Sequence, residues 1–227
     1  MSFAFTHANE ILWRLGQHIA LTAGTLLIAC AIALPLGVAA ARNRRVGVIV
    51  LTLLDLTYTI PSLALYALLI PFMGLGFVTA ATALTAYAQT ILVRSVATGL
   101  SEVPSALRDA ARGLGMSSLQ SLARVELPYA MPTLLGGMRV AAVTLIAMAN
   151  LAAWINAGGL GSLIFYGLEH DDANRIIVGS LCSILLVLPA DAFFRRLEFQ
   201  ALRRRNGYAA AGFTQAENTN PPSRRIA

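Results

Sequence analysis

The sequence contains no lysine, so all 17 of its basic residues are arginines, and only 12% of its residues are charged. Soluble domains average about 25% charged residues. Because 57% of the residues are hydrophobic, the chain has too little polar surface to cover a water-soluble globule. The arginines cluster at the ends of long apolar runs, which is typical of membrane topology and not of a nucleic-acid-binding face. The composition predicts an integral membrane protein without a nucleic-acid partner.

The signatures of enzymes and metal sites are missing as well. The 3 histidines show no HExxH spacing, and the sequence has neither a GxSxG motif nor a glycine-rich phosphate-binding loop of the Walker type. His18 is the one candidate partner for a membrane-embedded serine nucleophile, and its place at the outer edge of an apolar run favours an interfacial role. Cys30 and Cys182 lie within apolar runs and are predicted to be small buried side chains. We therefore expect no catalytic residue, no metal and no cofactor bound by this chain.

Five apolar segments approach or exceed the length of about 20 residues that a helix needs to cross a bilayer. They cover about residues 17–41, 46–72, 74–93, 134–155 and 176–194. Backbone groups in lipid must form hydrogen bonds within their own segment, so each segment is predicted to be helical. The sequence thus predicts an all-α, polytopic membrane helix bundle with about five transmembrane helices.

Arginine placement predicts the orientation of this bundle. Arginines follow the first, third and fifth segments, whereas the loop around residues 169–175 is net acidic. The positive-inside rule then places the N-terminus outside and the C-terminus inside. We assign residues 1–205 to one transmembrane domain with a cytoplasmic loop at about 102–128, and residues 206–227 to a disordered cytoplasmic tail.

The cytoplasmic loop has the pattern of two short helices at a glycine corner. Pro104 suits the first turn of a helix, and Gly115 suits its end. Ser117 and Gln120 form a capping box that starts the second helix. The Leu127-Pro128 pair is expected to end that helix, because proline cannot continue a regular helix.

The first of these helices has a narrow apolar stripe formed by Leu107, Ala110, Ala111 and Leu114. Small residues in such a stripe let the surface of a partner approach closely, as in helix-in-groove recognition. The alternative is an amphipathic helix lying on lipid headgroups. That alternative needs large apolar side chains such as Trp or Phe, and none occurs from residue 102 to 127, so the spacing favours a docking role.

The loop resembles the EAA loop of bacterial ABC importer permeases. The resemblance consists of Asp109-Ala110-Ala111, three residues, Gly115, nine residues, and then Val125-Glu126-Leu127-Pro128. Asp109 replaces the usual Glu, and Val125 replaces the usual Ile. In that family the loop sits in a cleft of the ATPase subunit. The resemblance therefore implies a coupling role for six residues: Asp109, Ala110, Ala111, Gly115, Leu127 and Pro128.

Two further segments are similar to permeases that import osmoprotectants such as glycine betaine, choline and carnitine. They are residues 58–64, Tyr-Thr-Ile-Pro-Ser-Leu-Ala, and residues 156–161, Asn-Ala-Gly-Gly-Leu-Gly. Methionine-type permeases share the second segment, in which Asn156 replaces a usual Gly. The resemblance implies import of a small quaternary amine, and a methionine-type amino acid is the alternative. A self-sufficient secondary carrier is a third possibility, but it has no need of the EAA segment.

The same resemblance implies the partners and the location. They are two ABC ATPase subunits that consume ATP, a second permease chain that is identical or related, and a periplasmic or extracellular substrate-binding protein. The chain would be a multi-pass protein of the bacterial inner membrane.

Polar residues within the apolar segments are candidates for the substrate path. Asp55 would be either a counter-charge for a cationic substrate or a structural hydrogen-bonding group. Pro61 would either line a cavity or kink a packed helix. The tyrosine rings would either bind a quaternary ammonium or simply pack. The full set is Asp55, Tyr58, Pro61, Ser62, Tyr87 and Asn150.

Two charged positions near the inner ends of the segments are expected to anchor helices. Asp191 and Arg195 are four residues apart with the acid first, which is the favourable order for an ion pair on one helix. Arg139 is expected to extend its guanidinium towards the interface.

Overall fold

The computed structural model describes the backbone of residues 6–219 and the side chains of residues 6–206. Every regular element in that range is helical, which confirms the all-α prediction. The α-helices are α1 (Ala8–Arg42), α2 (Arg44–Thr59), α3 (Ser62–Met73), α4 (Phe77–Ser101), α5 (Ser105–Gly113), α6 (Ser118–Ser121), α7 (Leu127–Ala149), α8 (Gly161–Glu169) and α9 (Ala173–Thr219). A π-helix, Leu122–Glu126, joins α6 to α7, and a 3₁₀-helix, Leu151–Ile155, follows α7.

Among residues 6–219, three helices are long and apolar enough to cross a membrane, whereas the sequence predicts about five segments. They are Ala8–Arg42, the continuous stretch Ser118–Ala149, and Ala173–Asn206. The bent pair of α2 and α3 would make a fourth. The remaining predicted segment, residues 74–93, corresponds to α4. This helix is long enough, with 25 residues, but its many small and polar residues lower its mean hydropathy.

Helix α4 lies at the centre of the bundle. Leu84 and Val93 on this helix are fully buried, and the helix packs against α1 and α7. From Ala29 to Ala40 the buried residues of α1 are all alanine or glycine, and such small residues let the backbones of membrane helices come close. A Cβ atom on Gly37 of α1 would lie only 2.4 Å from Cβ of Val96. A larger residue at position 37 would therefore push the two helices apart.

The predicted segment 46–72 is two helices and not one. Helix α2 ends at Thr59, Ile60 is extended with ψ of 126°, and α3 starts after Pro61. The axes of the two helices are bent by 99°. Proline lacks the N–H that would continue the helical ladder, and it favours an extended conformation in the residue before it. Pro61 therefore accounts for the break.

The capping box of Ser117 and Gln120 is present, with both reciprocal hydrogen bonds formed. The expectation that Leu127-Pro128 ends the second loop helix is wrong, because the chain continues through the π-helix into α7. Pro128 lies in the first turn of α7, where the missing N–H is tolerated. The chain is thus one continuous helical stretch from Ser118, after the glycine corner, to Ala149.

The two ends of the bundle contain the groups that the orientation prediction places on opposite sides. At one end, Arg42 of α1 lies 2.7 Å from Glu126 beside the loop. At the other end, Glu10 of α1 lies 3.0 Å from Arg175 of α9. Helix α9 continues to Thr219, into the tail that was predicted to be disordered, and residues 220–227 lie outside the described residues. The absolute orientation in the membrane stays a prediction.

Candidate functional site

Helix α5 lies at the arginine-rich end of the bundle and presents part of its apolar stripe to the outside. Asp109 and Ala110 are exposed, whereas Ala111 is only 2% exposed and packs against its own chain. Asp109 forms an exposed ion pair with Arg112 at 3.2 Å. The structure therefore divides the three motif residues: two face outward, and the third holds α5 against the bundle.

The corner after α5 has two exposed leucines on either side of a glycine. Gly115 has φ of +74°, a conformation that side chains rarely adopt, and open space surrounds the place where a Cβ would lie. Leu114 is 77% exposed and Leu119 is 74% exposed. Position 115 thus requires glycine because of the backbone conformation of the turn, and not because a side chain would clash with a neighbour. Large apolar groups left exposed next to such a turn are typical of an interaction surface.

Leu127 and Pro128 lie apart from the exposed side of α5. Leu127 packs against a small core of Val96, Leu100 and Ala130 below the loop. Pro128 lines a groove of about 390 Å³ between α7 and α9. Leu127 therefore supports the loop from within, and Pro128 faces a different surface.

Glu126 has a role that the sequence did not reveal. It is only 2% exposed, and its carboxylate accepts hydrogen bonds from Arg42 at 2.7 Å, Arg108 at 3.2 Å and Ser121 at 3.2 Å. Arg108 also donates to the backbone carbonyl of Leu100 at the end of α4. In the sequence, the only indication of this role is that Glu126 lies between apolar residues of the motif. That position does not show which residues pair with it.

Asp55 of α2 pairs with Arg94 of α4 at 2.6 Å, and both side chains are about half exposed. The pair joins two helices at the surface of the bundle and not in its core. Because Arg94 neutralises it, Asp55 is not a lone counter-charge. The geometry favours the structural alternative, while leaving both charges on a surface that a substrate could reach.

Four of the predicted path residues meet at the bend between α2 and α3. The hydroxyl of Tyr87 donates to the carbonyl of Ile60, which the break leaves without its helical partner. The rings of Tyr58 and Tyr87 meet edge to face with centroids 5.8 Å apart. Tyr87 is buried, whereas Tyr58 is 47% exposed. Pro61 and Ser62 form the start of α3 at the same place.

Asn150, the sixth candidate, lies elsewhere, at the end of α7. Its Oδ1 accepts a hydrogen bond from Ser183 of α9 at 2.9 Å. A Cβ on Gly161 of α8 would lie 2.0 Å from the Asn150 carbonyl oxygen. Asn150 thus contacts both α8 and α9, and its role in the substrate path stays a prediction.

His18 is fully buried, so the expected interfacial role is wrong. Its Nδ1 accepts a hydrogen bond from the Leu160 N–H at 3.3 Å, and its Nε2 lies 3.1 Å from the Ile146 carbonyl. Since Nδ1 is the acceptor, Nε2 carries the proton and donates. The adjacent Gln17 accepts from the Gly159 N–H at 3.2 Å. Helix α1 thus holds the glycine-rich segment through two neighbouring side chains.

The expected pair of Asp191 with Arg195 is not formed. Asp191 instead pairs with Arg139 of α7 at 2.5 Å, and Glu198 lies 3.7 Å from the same guanidinium. Asp191 faces α7, while Arg195 is exposed. Within the described residues, no three His, Cys, Asp or Glu side chains come together as a metal site.

Comparison with known proteins identifies the family. Residues 33–203 match the family model for the binding-protein-dependent transport system inner membrane component. The chain is 39% identical over 187 residues to the osmoprotectant import permease protein OsmW of Salmonella typhimurium, covering 80% of this chain and 87% of that protein. It is 34% identical over 191 residues to the glycine betaine/carnitine/choline transport system permease protein OpuCB of Bacillus subtilis, covering 84% and 88%.

A solved structure agrees on the fold. A chain of the MetNI methionine ABC transporter in an inward-facing conformation matches with a TM-score of 0.76 and 23% identity, covering 84% of this chain and 95% of that one. The match between the family model and three quarters of the chain, together with relatives above 30% identity, is decisive. This chain belongs to the family of inner membrane components of binding-protein-dependent transport systems.

Proposed function

We propose that the chain is the permease subunit of an ABC importer for a small quaternary-amine osmoprotectant such as glycine betaine, choline or carnitine. It works in the bacterial inner membrane with two partner ATPase subunits, a second permease chain and an external substrate-binding protein. The chain itself hydrolyses nothing and binds no cofactor. The observation that carries the proposal is the exposed part of α5 and its corner, where Asp109, Ala110 and Leu114 point away from the bundle.

The coupling half of the proposal follows from that surface. A nine-residue helix with a small central residue and exposed apolar neighbours fits a groove of a partner. Its position at the arginine-rich end is the cytoplasmic side by the positive-inside rule, where ATP is available. Closure of the partner ATPases on ATP would then displace α5, which transfers this displacement to the membrane helices.

The proposed substrate class is supported by the relatives, two of which are named as osmoprotectant or glycine betaine permeases. The bend at Ile60 adds a physical argument, since an exposed Tyr58 ring at a broken membrane helix is a suitable contact for a quaternary ammonium. A methionine-type substrate remains the second candidate. The MetNI match has under 25% identity and supports the fold alone.

The test is reconstitution of the whole importer, in which this chain is combined with its ATPase and its substrate-binding protein. Uptake of labelled choline into proteoliposomes is measured in competition with glycine betaine, carnitine and methionine. We expect ATP-dependent uptake that the quaternary amines inhibit and methionine does not. Inhibition by methionine alone would replace the substrate class. Uptake by the purified chain driven by an ion gradient would overturn the importer assignment.

A further inference from the structure

We infer that Glu126 is a positioning residue that locks the docking helix α5 to the ends of α1 and α4, so that a displacement of α5 moves the bundle instead of bending the loop. The inference rests on the proposed coupling role of α5. It concerns how the motion is transmitted, and not whether an ATPase binds.

The two loops that connect α5 to its neighbouring helices do not by themselves fix its orientation. On one side, residues 102–104 connect it to α4, and on the other side, residues 114–117 connect it to α6. The second connection contains Gly115 in the left-handed region. A nine-residue helix between two turns would rotate about them if it had no other support.

Glu126 provides that support through both oxygens of one carboxylate. Oε2 accepts from Nε of Arg108 on α5, and Oε1 accepts from Arg42, the last residue of α1. Arg108 also donates to the Leu100 carbonyl of α4 at 2.5 Å. Glu126 therefore contacts α1 and α5 directly, and Arg108 links this pair to the end of α4, so that the three segments α1, α4 and α5 are joined.

Burial explains why these contacts should persist while the loop moves. The Glu126 side chain is 3% exposed, against 30% for Arg108 and 43% for Arg42. A buried carboxylate that loses its partners is an uncompensated charge, which is strongly unfavourable. The three segments are therefore expected to move together.

The local backbone places Glu126 for this role. The π-helix from Leu122 to Glu126 replaces the regular helical spacing at this point. Glu126 faces inward, while Arg124, two residues earlier, is exposed. Single-turn π-helices often occur at functional positions, and this one ends at the residue that joins the three segments.

Arg42 gives the sharpest test, because it belongs to α1 and not to the docking helix α5. In the reconstituted importer, we expect Arg42→Ala to retain ATPase co-purification and ATP hydrolysis. Substrate transported per ATP should fall by about 5–150-fold, the usual range of coupling between sites. Arg42→Lys keeps one charged donor and should recover most of the loss. Arg44→Ala, an exposed arginine two residues along, is the control and should behave as the wild type.

The outcomes separate the possibilities. Normal transport per ATP in Arg42→Ala overturns the inference, as does loss of assembly, which would make the contact merely structural. Equal losses in Arg42→Ala and Arg42→Lys also overturn it. Absence of any ATPase partner for the wild-type chain would instead refute the proposed function.

Discussion

His18 on α1 accepts a hydrogen bond through Nδ1 from the backbone N–H of Leu160, a residue 142 positions later in the chain. The other ring nitrogen donates to the Ile146 carbonyl of α7. One neutral imidazole thus joins the N-terminal part of α1 to the end of α7 and to the segment before α8.

Replacing His18 should destabilise the bundle. In His18→Ala the buried Leu160 N–H loses its acceptor, at about 1–3 kcal/mol. The Ile146 carbonyl keeps only the longer hydrogen bond from Nδ2 of Asn150, at 3.4 Å. Thermal unfolding of the detergent-purified protein measures the loss. His18→Asn keeps an acceptor near the position of Nδ1 and should fall between the alanine variant and the wild type. Equal stability of all three proteins would show that the histidine contacts contribute nothing.

Alanine substitutions at Gly161 and Gly16 should change the stability of the protein in opposite directions. The Cβ of Gly161→Ala would overlap the Asn150 carbonyl oxygen at 2.0 Å, and overpacking of this kind costs about 1–3 kcal/mol. Gly16 lies within α1 with open space around it, so Gly16→Ala should gain about 0.5–1 kcal/mol from lower backbone entropy in the unfolded chain. Melting temperatures of the two variants test this contrast, and a stabilised Gly161→Ala would refute the packing described for α7 and α8.

The Asp55–Arg94 pair predicts a dependence of choline uptake on charge. Asp55→Asn leaves the Arg94 guanidinium uncompensated at an exposed surface, so it should reduce uptake of a cation without reducing the amount of protein in the membrane. The double variant Asp55→Asn with Arg94→Gln removes both charges and should recover uptake. Reconstituted transport is measured at low salt, since exposed charges are screened by ions. If Asp55→Asn transports choline normally, Asp55 lies off the path.

A substitution at Gly115, in the corner after α5, should weaken the coupling between substrate and ATP hydrolysis. Valine cannot readily adopt the positive φ of Gly115, and the left-handed conformation costs roughly 1–2 kcal/mol for a residue with a Cβ. Gly115→Val should therefore displace Leu114 and Leu119 and reduce substrate-stimulated ATP hydrolysis. Gly113→Ala is the matched control, because Gly113 is exposed, has open space and has no positive φ. Full stimulation in Gly115→Val would mean that the corner does not contact the ATPase.

The sequence predicted those features that depend on neighbouring residues. The capping box at Ser117 and the exposed helix with Asp109 and Ala110 follow from local backbone and side-chain chemistry. At Pro61 the same chemistry indicated an interruption of the helix, but not its division into two helices at 99°. The same local rules failed at Pro128, where the preceding π-helix changes the hydrogen-bond register and lets the helix continue.

Contacts between distant segments were missed, because no periodic pattern records them. Asp191 has a suitable partner four residues away, yet Arg139 on α7 lies closer to it in space. The burial of His18 depends on α7 and on the segment before α8. The three contacts of Glu126 depend on α1, α5 and α6. In each case a polar side chain in an apolar setting indicated that a partner existed, and only the packed helices show which one.

The 99° angle between α2 and α3 limits how residues 44–73 can occupy a bilayer. At about 1.5 Å per residue, α2 is about 24 Å long and α3 about 18 Å, so neither alone matches a hydrocarbon layer of about 30 Å. With α2 upright, α3 must run nearly parallel to the membrane plane. The turn that follows it contains the exposed Leu75 and is flanked by the exposed Phe72 of α3 and Val78 of α4. This turn then lies at the level of one leaflet and off to the side of α2. In that orientation, residues 44–73 combine one incomplete crossing with one horizontal helix, and α4 starts from a position shifted sideways from α2.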